Sequence, residues 1–358
     1  MTESVPGAAK DAPKGFPAGA PKDAPKVAVL GAGSWGTALA ALLAGGGRDT
    51  TLWALEDEVV SGIRERRENA IYLPDVLLPP KLVATTSLQD ALRDADFVIS
   101  VSPSQHVRSV MTEAAPHLAR GALVVSASKG IETSTLKRMD QVMEDVLPER
   151  AMRGFSVLSG PSFAAEVARG TPTAVVVASR SPEAGLRVQE LFQTDTFRVY
   201  TNPDVAGVEL GGAVKNVVAL AAGVVAGLGY GHNTLAALIT RGLAEITRLG
   251  VAMGAERATF SGLAGVGDLV LTCTGELSRN RGVGFRLGQG ESLDAILGEM
   301  KAVAEGVRTA QAVFELARLH DVEMPITEEV HAILTEGRDP RDAMQNLMLR
   351  EPKAEEWA

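Results

Sequence analysis

Short apolar runs alternate with helical stretches along the first half of the chain. The runs are rich in β-branched residues and almost continuously apolar, which is typical of strands buried on both faces of a sheet. On this basis the sequence predicts six strands: Val27–Leu30, Thr50–Trp53, Phe97–Val101, Ala122–Ser126, Phe155–Leu158 and Thr173–Ala178. Because helical stretches separate them, we expect parallel crossover connections and a doubly wound α/β sheet.

The strand pattern stops at about Ala206, and helical periodicity continues from there. Four helices are predicted at Leu235–Leu249, Ser292–Met300, Thr309–Leu319 and Thr327–Thr335. The apolar stretch Val217–Gly229 is shorter than the roughly 20 residues that a membrane span needs, so it is interpreted as a buried core helix and no integral membrane segment is expected. The predicted division is a leader (1–25), an α/β domain (26–206) and an all-helical C-terminal domain (207–350).

Composition narrows the class of protein. The leader is rich in Pro, Ala, Gly and Lys and has no apolar run of the kind a signal peptide needs, so we expect it to be disordered. The chain has 35 basic and 44 acidic residues and a formal charge of −9. Such a surface repels nucleic acid and anionic membranes. We therefore expect a cytoplasmic protein with no nucleic-acid partner.

Cysteine and histidine usage argues against a metal centre. The single cysteine, Cys273, excludes an internal disulfide and a cysteine-clustered metal site, and it is interpreted as a core thiol. The five histidines show no metal-ligand spacing: His106, His117, His232, His320 and His331. A proton-transfer role is therefore expected of a lysine rather than of a histidine.

A glycine-rich turn follows the first predicted strand directly. Gly31, Gly33 and Gly36 fit the pattern G-x-G-x-x-G, and the next stretch reads as a helix to about Ala44, with Gly45 as its cap. The first glycine permits the tight turn, the second lets a pyrophosphate approach, and the third lets helix and sheet pack closely. In this context the motif predicts binding of a dinucleotide at the helix N-terminus.

The end of the second strand bears on the choice of cofactor. An acidic residue about 20 positions after the glycines accepts a hydrogen bond from the ribose of NAD, whereas an arginine there receives the 2′-phosphate of NADP. Leu55 and Glu56 occupy this position, which favours NAD. A nearby loop could still supply Arg64 or Arg66 to NADP, so both cofactors stay open.

Single charges in glycine-rich or apolar sequence mark a second candidate site. Lys129 follows a buried strand and is a candidate anion contact at the sheet's carboxyl edge. The segment Ser159–Ala164 follows the next strand, and its small residues and a hydroxyl could form a backbone nest for a polar ligand or a plain proline turn. Lys215 begins an apolar run, and a buried lysine there needs a partner or a lowered pKa, which suits it to proton exchange.

An acidic partner and a phosphate contact are predicted further along the chain. Asp268 lies in the run GVGDLVLTC and is a natural partner for Lys215, and Arg279 offers a guanidinium fork for phosphate. Several cations converging on one site imply a small dianionic substrate. The less specific interpretation is a structural ion pair elsewhere in the fold.

Taken in order, the motifs resemble the bacterial NAD(P)-dependent glycerol-3-phosphate dehydrogenase family. They are GAGSWGTALA, LWA, N-x-x-YLP (69–74), SKGIE, SGPSFA-x-E, VELGGAVKNVVALAAG, LAGVGDLVLTCTG with S-x-N beside it, and VAEGVRTA. The resemblance covers residues 26–335, nearly the whole chain apart from the leader. It implies a Rossmann-like N-terminal domain and reversible hydride transfer between NAD(P)H and dihydroxyacetone phosphate, which gives sn-glycerol 3-phosphate for glycerophospholipid synthesis.

The same resemblance implies residue roles. Lys215 would be the proton acceptor for glycerol 3-phosphate oxidation, with Asp268 orienting it. The substrate would be held by Lys129, Gly160, Ser162, Lys215, Asp268, Ser278, Arg279 and Asn280. The cofactor would be held by the three glycines together with Ser34, Trp35, Lys129, Ala164, Arg279, Val303 and Glu305. A homodimer is compatible with this interpretation.

The sequence departs from the family at Leu55, where the family usually has arginine or histidine. That departure weakens the usual NADP preference, in agreement with the interpretation of Glu56. Two other functions stay open at this point. One is a related lysine-using hydroxyacid dehydrogenase, and the other is a dinucleotide-sensing module without turnover.

Overall fold

The structure is a computed structural model that describes residues 24–300, 304–352 and 354–355. The predicted leader therefore lies almost wholly outside the described residues, as does Val303. The strands are β1 (Lys26–Leu30), β2 (Asp49–Trp53), β3 (Val83–Thr85), β4 (Phe97–Ser100), β5 (Leu123–Ser126), β6 (Ile131–Glu132), β7 (Lys137–Arg138), β8 (Ser156–Ser159), β9 (Thr173–Ser179) and β10 (Phe197–Asn202).

Eight of these strands form one sheet in the order β10-β9-β8-β5-β4-β1-β2-β3. All neighbours from β8 to β3 in this order pair in parallel, as the sequence predicts for β1, β2, β4, β5 and β8. Along β1, Val27 and Val29 pack into one apolar cluster, while Ala28 and Leu30 pack into another. Because both faces of the strand are buried, its sequence is apolar without alternation.

The prediction of a parallel crossover into β9 is wrong. This strand pairs antiparallel to β8, with Ser156 opposite Ser179 and Ser159 opposite Val176. The connection contains only a five-residue helix, Ala164–Ala168. So short a helix does not carry the chain back along the strand, as a parallel crossover must. The last strand, β10, pairs parallel to β9.

Three strand features were not predicted. The edge strands β3 and β10 carry exposed positions, including Val83, Arg198 and Tyr200, so neither is a continuous apolar run. The third feature is a short antiparallel pair in which Ile131 lies opposite Arg138. Its two strands have two residues each, too few to show a period.

Sixteen α-helices occur within the described residues. In the first part of the chain they are α1 (Ser34–Gly45), α2 (Asp57–Arg66), α3 (Leu88–Leu92), α4 (Val107–Ala114), α5 (Met139–Val146), α6 (Glu149–Met152), α7 (Ala164–Ala168) and α8 (Pro182–Phe192). In the second part they are α9 (Val205–Gly227), α10 (His232–Ala252), α11 (Asp268–Thr274), α12 (Arg279–Gly288), α13 (Leu293–Glu299), α14 (Glu305–Leu319), α15 (Pro325–Glu336) and α16 (Pro340–Met348).

The absence of strands beyond residue 206 is confirmed for the part of the chain that the structure describes. The four predicted helices correspond to α10, α13, α14 and α15, and α13 is one residue shorter at each end than predicted. One predicted cap is wrong. Gly45 is the last residue of α1 and Gly46 is its cap, because the α1 backbone hydrogen bonds continue one residue further. The division of the chain at residue 206 stays a prediction.

Helix α9 is the centre of the helical part. Its length and composition would allow a membrane span, but 83% of its most apolar 18-residue window is buried within the protein. Gly223 in α9 meets Gly284 in α12, where an added Cβ on Gly284 would lie 2.0 Å from the Leu220 carbonyl oxygen. The two helix backbones therefore touch. This contact fixes α12 against the helix that carries Lys215.

The same helix is joined to the sheet part by a buried ion cluster. The Glu209 carboxylate accepts hydrogen bonds from the Asp140 backbone N–H at 2.9 and 3.2 Å. The Asp140 carboxylate in turn accepts from Arg138 and Arg180. These contacts bridge α5 and α9, so the orientation of α9 depends on contacts with the sheet part of the molecule.

Candidate active site

The glycine-rich turn lies at the carboxyl end of β1. Gly31 has a φ of +121°, a conformation that favours glycine. An added Cβ on Gly36 would lie 1.9 Å from the Gly31 carbonyl oxygen, so the third glycine allows the turn to close on itself. At Gly33, in contrast, an added Cβ meets nothing within 4 Å. The space beside the N-terminus of α1 is open.

These residues fit a dinucleotide. Ser34 and Trp35 begin α1, whose exposed N–H groups and helix dipole favour an anion. The Trp35 indole nitrogen is buried and has no hydrogen-bond partner among the described residues. Behind the turn, the buried Asn69 amide donates to the Ala32 carbonyl and to the Thr37 hydroxyl, both at 2.8 Å. These two hydrogen bonds fix the backbone conformation of the glycine-rich turn.

The predicted cofactor-selecting residues lie between β2 and α2. Leu55 is 77% exposed, and Glu56 precedes α2 at the end of β2. Both alternative arginines make contacts within the protein. Arg64 donates to the Ala84 carbonyl at 2.9 Å, and Arg66 forms an exposed ion pair with Glu65.

A buried ion cluster unites the predicted charges. The Lys215 ammonium group donates to one carboxylate oxygen of Asp268 and, at 2.8 Å, to the Thr272 hydroxyl. The Lys129 ammonium group donates to the other Asp268 oxygen at 2.8 Å and to the Gly160 carbonyl at 3.1 Å. Helices α9 and α11 and the loop after β5 therefore meet at one carboxylate. The predicted pairing of Lys215 with Asp268 is present.

Burial controls the protonation of Lys215. It lowers the pKa of this lysine to about 8, although the Asp268 carboxylate acts in the opposite direction. The positive charge of Lys129 lowers the same pKa further. A lysine with this pKa is partly neutral near physiological pH, so it can accept and return a proton.

The first substrate segment lies beside Lys129. Gly160 has a φ of +134°, and the Ser162 hydroxyl donates to its carbonyl at 3.1 Å. An added Cβ on Gly212 of α9 would lie 2.7 Å from the Ser159 hydroxyl and 3.7 Å from the Lys129 side chain. A glycine at this position therefore leaves room for the Ser159 hydroxyl, while the distance to Lys129 is an ordinary van der Waals contact. Ala164, a predicted cofactor contact, begins α7, which packs against α1.

The second substrate segment forms the start of α12. The Ser278 hydroxyl caps the helix by accepting from the Arg281 N–H at 3.2 Å, and Asn280 accepts from the Gly306 N–H at 3.0 Å. The Arg279 side chain is exposed and forms no ion pair with another side chain within the described residues. A helix N-terminus with a free arginine suits a phosphate group.

Glu305 lies close to the cations of the site. Its carboxylate accepts from the Ser104 N–H at 3.2 Å. Burial raises its pKa, whereas the charges of Arg279, Lys129 and Lys215 lower it. The N-terminus of α14 is therefore adjacent to the start of α12 and to the lysine pair. The second predicted residue of this segment, Val303, lies outside the described residues.

Three residues in the site were not singled out from the sequence. Thr272 lies one helical turn after Asp268, and that spacing could have identified it as a second partner for Lys215. The Ser159 hydroxyl is buried and has no partner among the described residues. Ser104 meets Glu305 across 201 positions of sequence, and no local pattern signals that contact.

Other candidate chemistry is absent from the described part of the chain. No group of three or more His, Cys, Asp or Glu side chains there could hold a metal ion. Cys273 is fully buried, and burial raises the pKa of its thiol to about 12. Such a thiol is unreactive at neutral pH, in agreement with its interpretation as a core residue.

Comparison with known proteins gives a consistent result. The model described as NAD-dependent glycerol-3-phosphate dehydrogenase N-terminus matches residues 26–185, and the C-terminus model matches residues 204–345. A glycerol-3-phosphate dehydrogenase (NAD(P)+) from Geobacter sulfurreducens is 59% identical over 331 residues, which cover 92% of this chain and 99% of that protein. The corresponding protein from Koribacter versatilis is 53% identical over 333 residues, with the same two coverages.

Solved structures agree with these relatives. The crystal structure of a glycerol-3-phosphate dehydrogenase from Coxiella burnetii is similar with a TM-score of 0.86 and 39% identity, over 91% of this chain and 99% of that chain. A ketopantoate reductase from Ralstonia eutropha is similar with a TM-score of 0.57 over 89% of this chain and 99% of that chain. At 15% identity it shares the fold alone.

Proposed function

The chain belongs to the NAD-dependent glycerol-3-phosphate dehydrogenase family, and from that premise we propose how its residues carry out the reaction. The protein is an oxidoreductase that uses NAD(P) and interconverts dihydroxyacetone phosphate and sn-glycerol 3-phosphate. The observation that carries the assignment of roles is the buried cluster in which Lys215 and Lys129 share the Asp268 carboxylate. Lys129 follows β5 at the same carboxyl edge of the sheet where the glycine-rich turn follows β1.

In the proposed mechanism, Lys215 accepts and donates the proton of the substrate hydroxyl. A hydroxyl that is oxidised to a carbonyl must lose its proton, so a base must lie within hydrogen-bond reach of that oxygen. Neutral Lys215 takes this proton from glycerol 3-phosphate, and protonated Lys215 returns it during reduction. Its charge then also stabilises the developing alkoxide. The bound dinucleotide supplies the hydride chemistry.

The neighbours of Lys215 keep it in position. Asp268 and Thr272 hold the ammonium group, which limits the orientations that Lys215 can adopt. Lys129 adds a second positive charge, which favours an anionic substrate and adds to the lowering of the Lys215 pKa that burial causes. A lysine fixed in this way does not need to reorganise when the substrate reacts.

The phosphate group of the substrate is proposed to bind at the start of α12. Ser278 and Asn280 are engaged in holding the helix end, which leaves Arg279 as the charged contact. Gly160 and Ser162 would line the other side. Phosphate binding remote from the reacting carbon supplies binding energy and fixes the substrate's orientation.

Glu305, Ala164 and the glycine-rich turn are proposed to hold the cofactor, together with Lys129 and Arg279. Glu56, at the end of β2, favours NAD over NADP. We further propose that the reaction takes place in the cytoplasm, that its product supplies glycerophospholipid synthesis, and that the protein is a homodimer. Light scattering of the purified protein tests the last point.

The deciding experiment is dihydroxyacetone-phosphate-dependent oxidation of NADH and NADPH, measured side by side on purified protein. Turnover is expected with at least one cofactor and with no carboxylate analogue of the substrate. Binding of the cofactor without turnover would instead support a sensing module. Turnover with a hydroxyacid alone would support a related lysine-using dehydrogenase.

A further inference from the structure

A short segment folds over the glycine-rich turn and meets the end of β2. It runs from Asn69 to Leu73, which form an isolated antiparallel bridge. Its inner end is fixed by the buried Asn69 amide, which also accepts from the Tyr72 N–H at 3.2 Å. The Tyr72 carbonyl accepts from the Ser34 hydroxyl at 2.5 Å. The backbone of Tyr72 is therefore fixed relative to the start of α1.

The Tyr72 side chain connects this segment to Glu56. Its hydroxyl donates to the Glu56 carboxylate at 2.9 Å. Glu56 occupies the position that caps α2, yet its side chain makes no cap hydrogen bond. The carboxylate is thus directed to the tyrosine rather than to the first turn of its own helix. The hydrogen bond to Glu56 raises the pKa of Tyr72, so the hydroxyl stays a donor at all physiological pH values.

Further carboxylates adjoin that of Glu56. Asp57 and Glu58 follow it in the first turn of α2. Within the described residues Glu56 forms no ion pair with Arg64 or Arg66, since Arg64 donates to the Ala84 carbonyl and Arg66 pairs with Glu65. A 2′-phosphate at the end of β2 would therefore meet fixed negative charge, whereas a ribose hydroxyl would meet an acceptor.

We propose that Tyr72 sets the cofactor preference of this enzyme by holding the Glu56 carboxylate at the ribose position. Tyr72 is a positioning residue, and Glu56 is the group that contacts the ribose. The restraint favours NADH because Tyr72 donates to one oxygen of the Glu56 carboxylate and leaves the other able to accept from a 2′-hydroxyl. It disfavours NADPH because the carboxylate cannot swing away from the phosphate. This inference rests on the proposed binding of the dinucleotide at the glycine-rich turn.

The test is a comparison of dissociation constants for NADH and NADPH by nicotinamide fluorescence, without substrate, in wild type and variants. Y72F removes the hydroxyl and keeps the ring. E56Q removes the charge and keeps the shape. The matched control is Tyr200→Phe, because Tyr200 lies on β10 at the opposite edge of the sheet from β2 and β3.

Wild type is expected to bind NADH more tightly. Y72F is expected to shift the NADH-to-NADPH preference toward NADPH about fivefold to tenfold, with a melting temperature close to that of wild type. E56Q is expected to shift it further. Because Tyr72 acts through Glu56, the double variant should match E56Q alone. Tyr200→Phe should leave the preference unchanged.

Three results would overturn the proposal. One is an unchanged preference in Y72F. Another is a double variant whose effects simply add. The last is a Y72F variant that loses NADPH binding alone, which would mean that Tyr72 contacts the phosphate itself. If the wild-type protein bound neither NADH nor NADPH, that result would contradict the proposed function instead. If it bound a cofactor but showed no turnover, the proposed reaction would be wrong, and the inference about Tyr72 would still hold.

Discussion

Lys129 and Lys215 contact different oxygens of one buried carboxylate, that of Asp268. Two positive charges are thereby brought together and only partly neutralised. Burial lowers the Lys215 pKa, and the positive charge of Lys129 lowers it further. The two lysines also provide an electrostatic reason for an anionic substrate to enter the site. Four expected results follow from this cluster, from the glycine-rich turn and from the start of α12.

Replacement of Lys215 by methionine should lower turnover by about 10²-fold to 10⁴-fold, the range that positioned acid–base groups contribute. Methionine keeps much of the apolar stem, so the buried site stays filled. The dissociation constant for NADH should stay within about twofold, because Lys215 faces the substrate. Lys137→Met is the matched control, since Lys137 pairs with Asp145 on the surface. Unchanged turnover in the Lys215 variant would remove it from the mechanism.

The pH dependence should differ in sign between the two directions. Oxidation of glycerol 3-phosphate needs neutral Lys215, so kcat/KM should rise with pH and level off above about 8. Reduction of dihydroxyacetone phosphate needs the protonated form, so kcat/KM should fall above about 8. In Asp268→Asn both limbs should move to lower pH, because the carboxylate that raises the lysine pKa is gone. If the two pH profiles of this variant did not move, the group that titrates would not be Lys215.

Two alanine substitutions in the glycine-rich turn should have different effects, one on NADH affinity and the other on the stability of the fold. Gly33→Ala has open space for its Cβ, so the melting temperature should be kept, while NADH affinity falls about tenfold or more where the pyrophosphate approaches. Gly36→Ala forces a Cβ against the Gly31 carbonyl and should lower the melting temperature by several degrees. Gly298→Ala in α13, which also has open space, is the control for Gly33. Equal destabilisation at both turn positions would contradict this division.

Replacement of Arg279 by alanine should raise the KM for dihydroxyacetone phosphate about tenfold or more. The turnover number should fall less, because the phosphate is remote from the reacting carbon. Arg93→Ala is a suitable control, since Arg93 is exposed and pairs with Asp90 in α3. Steady-state kinetics at two ionic strengths measure the effect. A normal KM in the Arg279 variant would show that the phosphate binds elsewhere.

Much of the fold could be read from local sequence. Buried parallel strands must be apolar on both faces, so β1, β2, β4, β5 and β8 appear as continuous runs. The glycine-rich turn was equally predictable, because Gly31 and Gly36 meet steric requirements of the turn itself and Gly33 leaves the space beside it open. The direction of β9 could not be predicted from its composition. It depends on the connection from β8, whose short helix does not carry the chain back to the start of the sheet.

The sequence by itself determined the residue types of the site and the elements that carry them. Only the tertiary structure decided that Lys129 reaches the Asp268 carboxylate across 139 positions, that Thr272 completes the Lys215 contacts, and that Tyr72 holds Glu56. The physical reason is that hydrogen bonds act over about 3 Å. The packing of α9, α11 and the loops at the sheet edge decides which groups come that close. The local sequence does not predict these contacts.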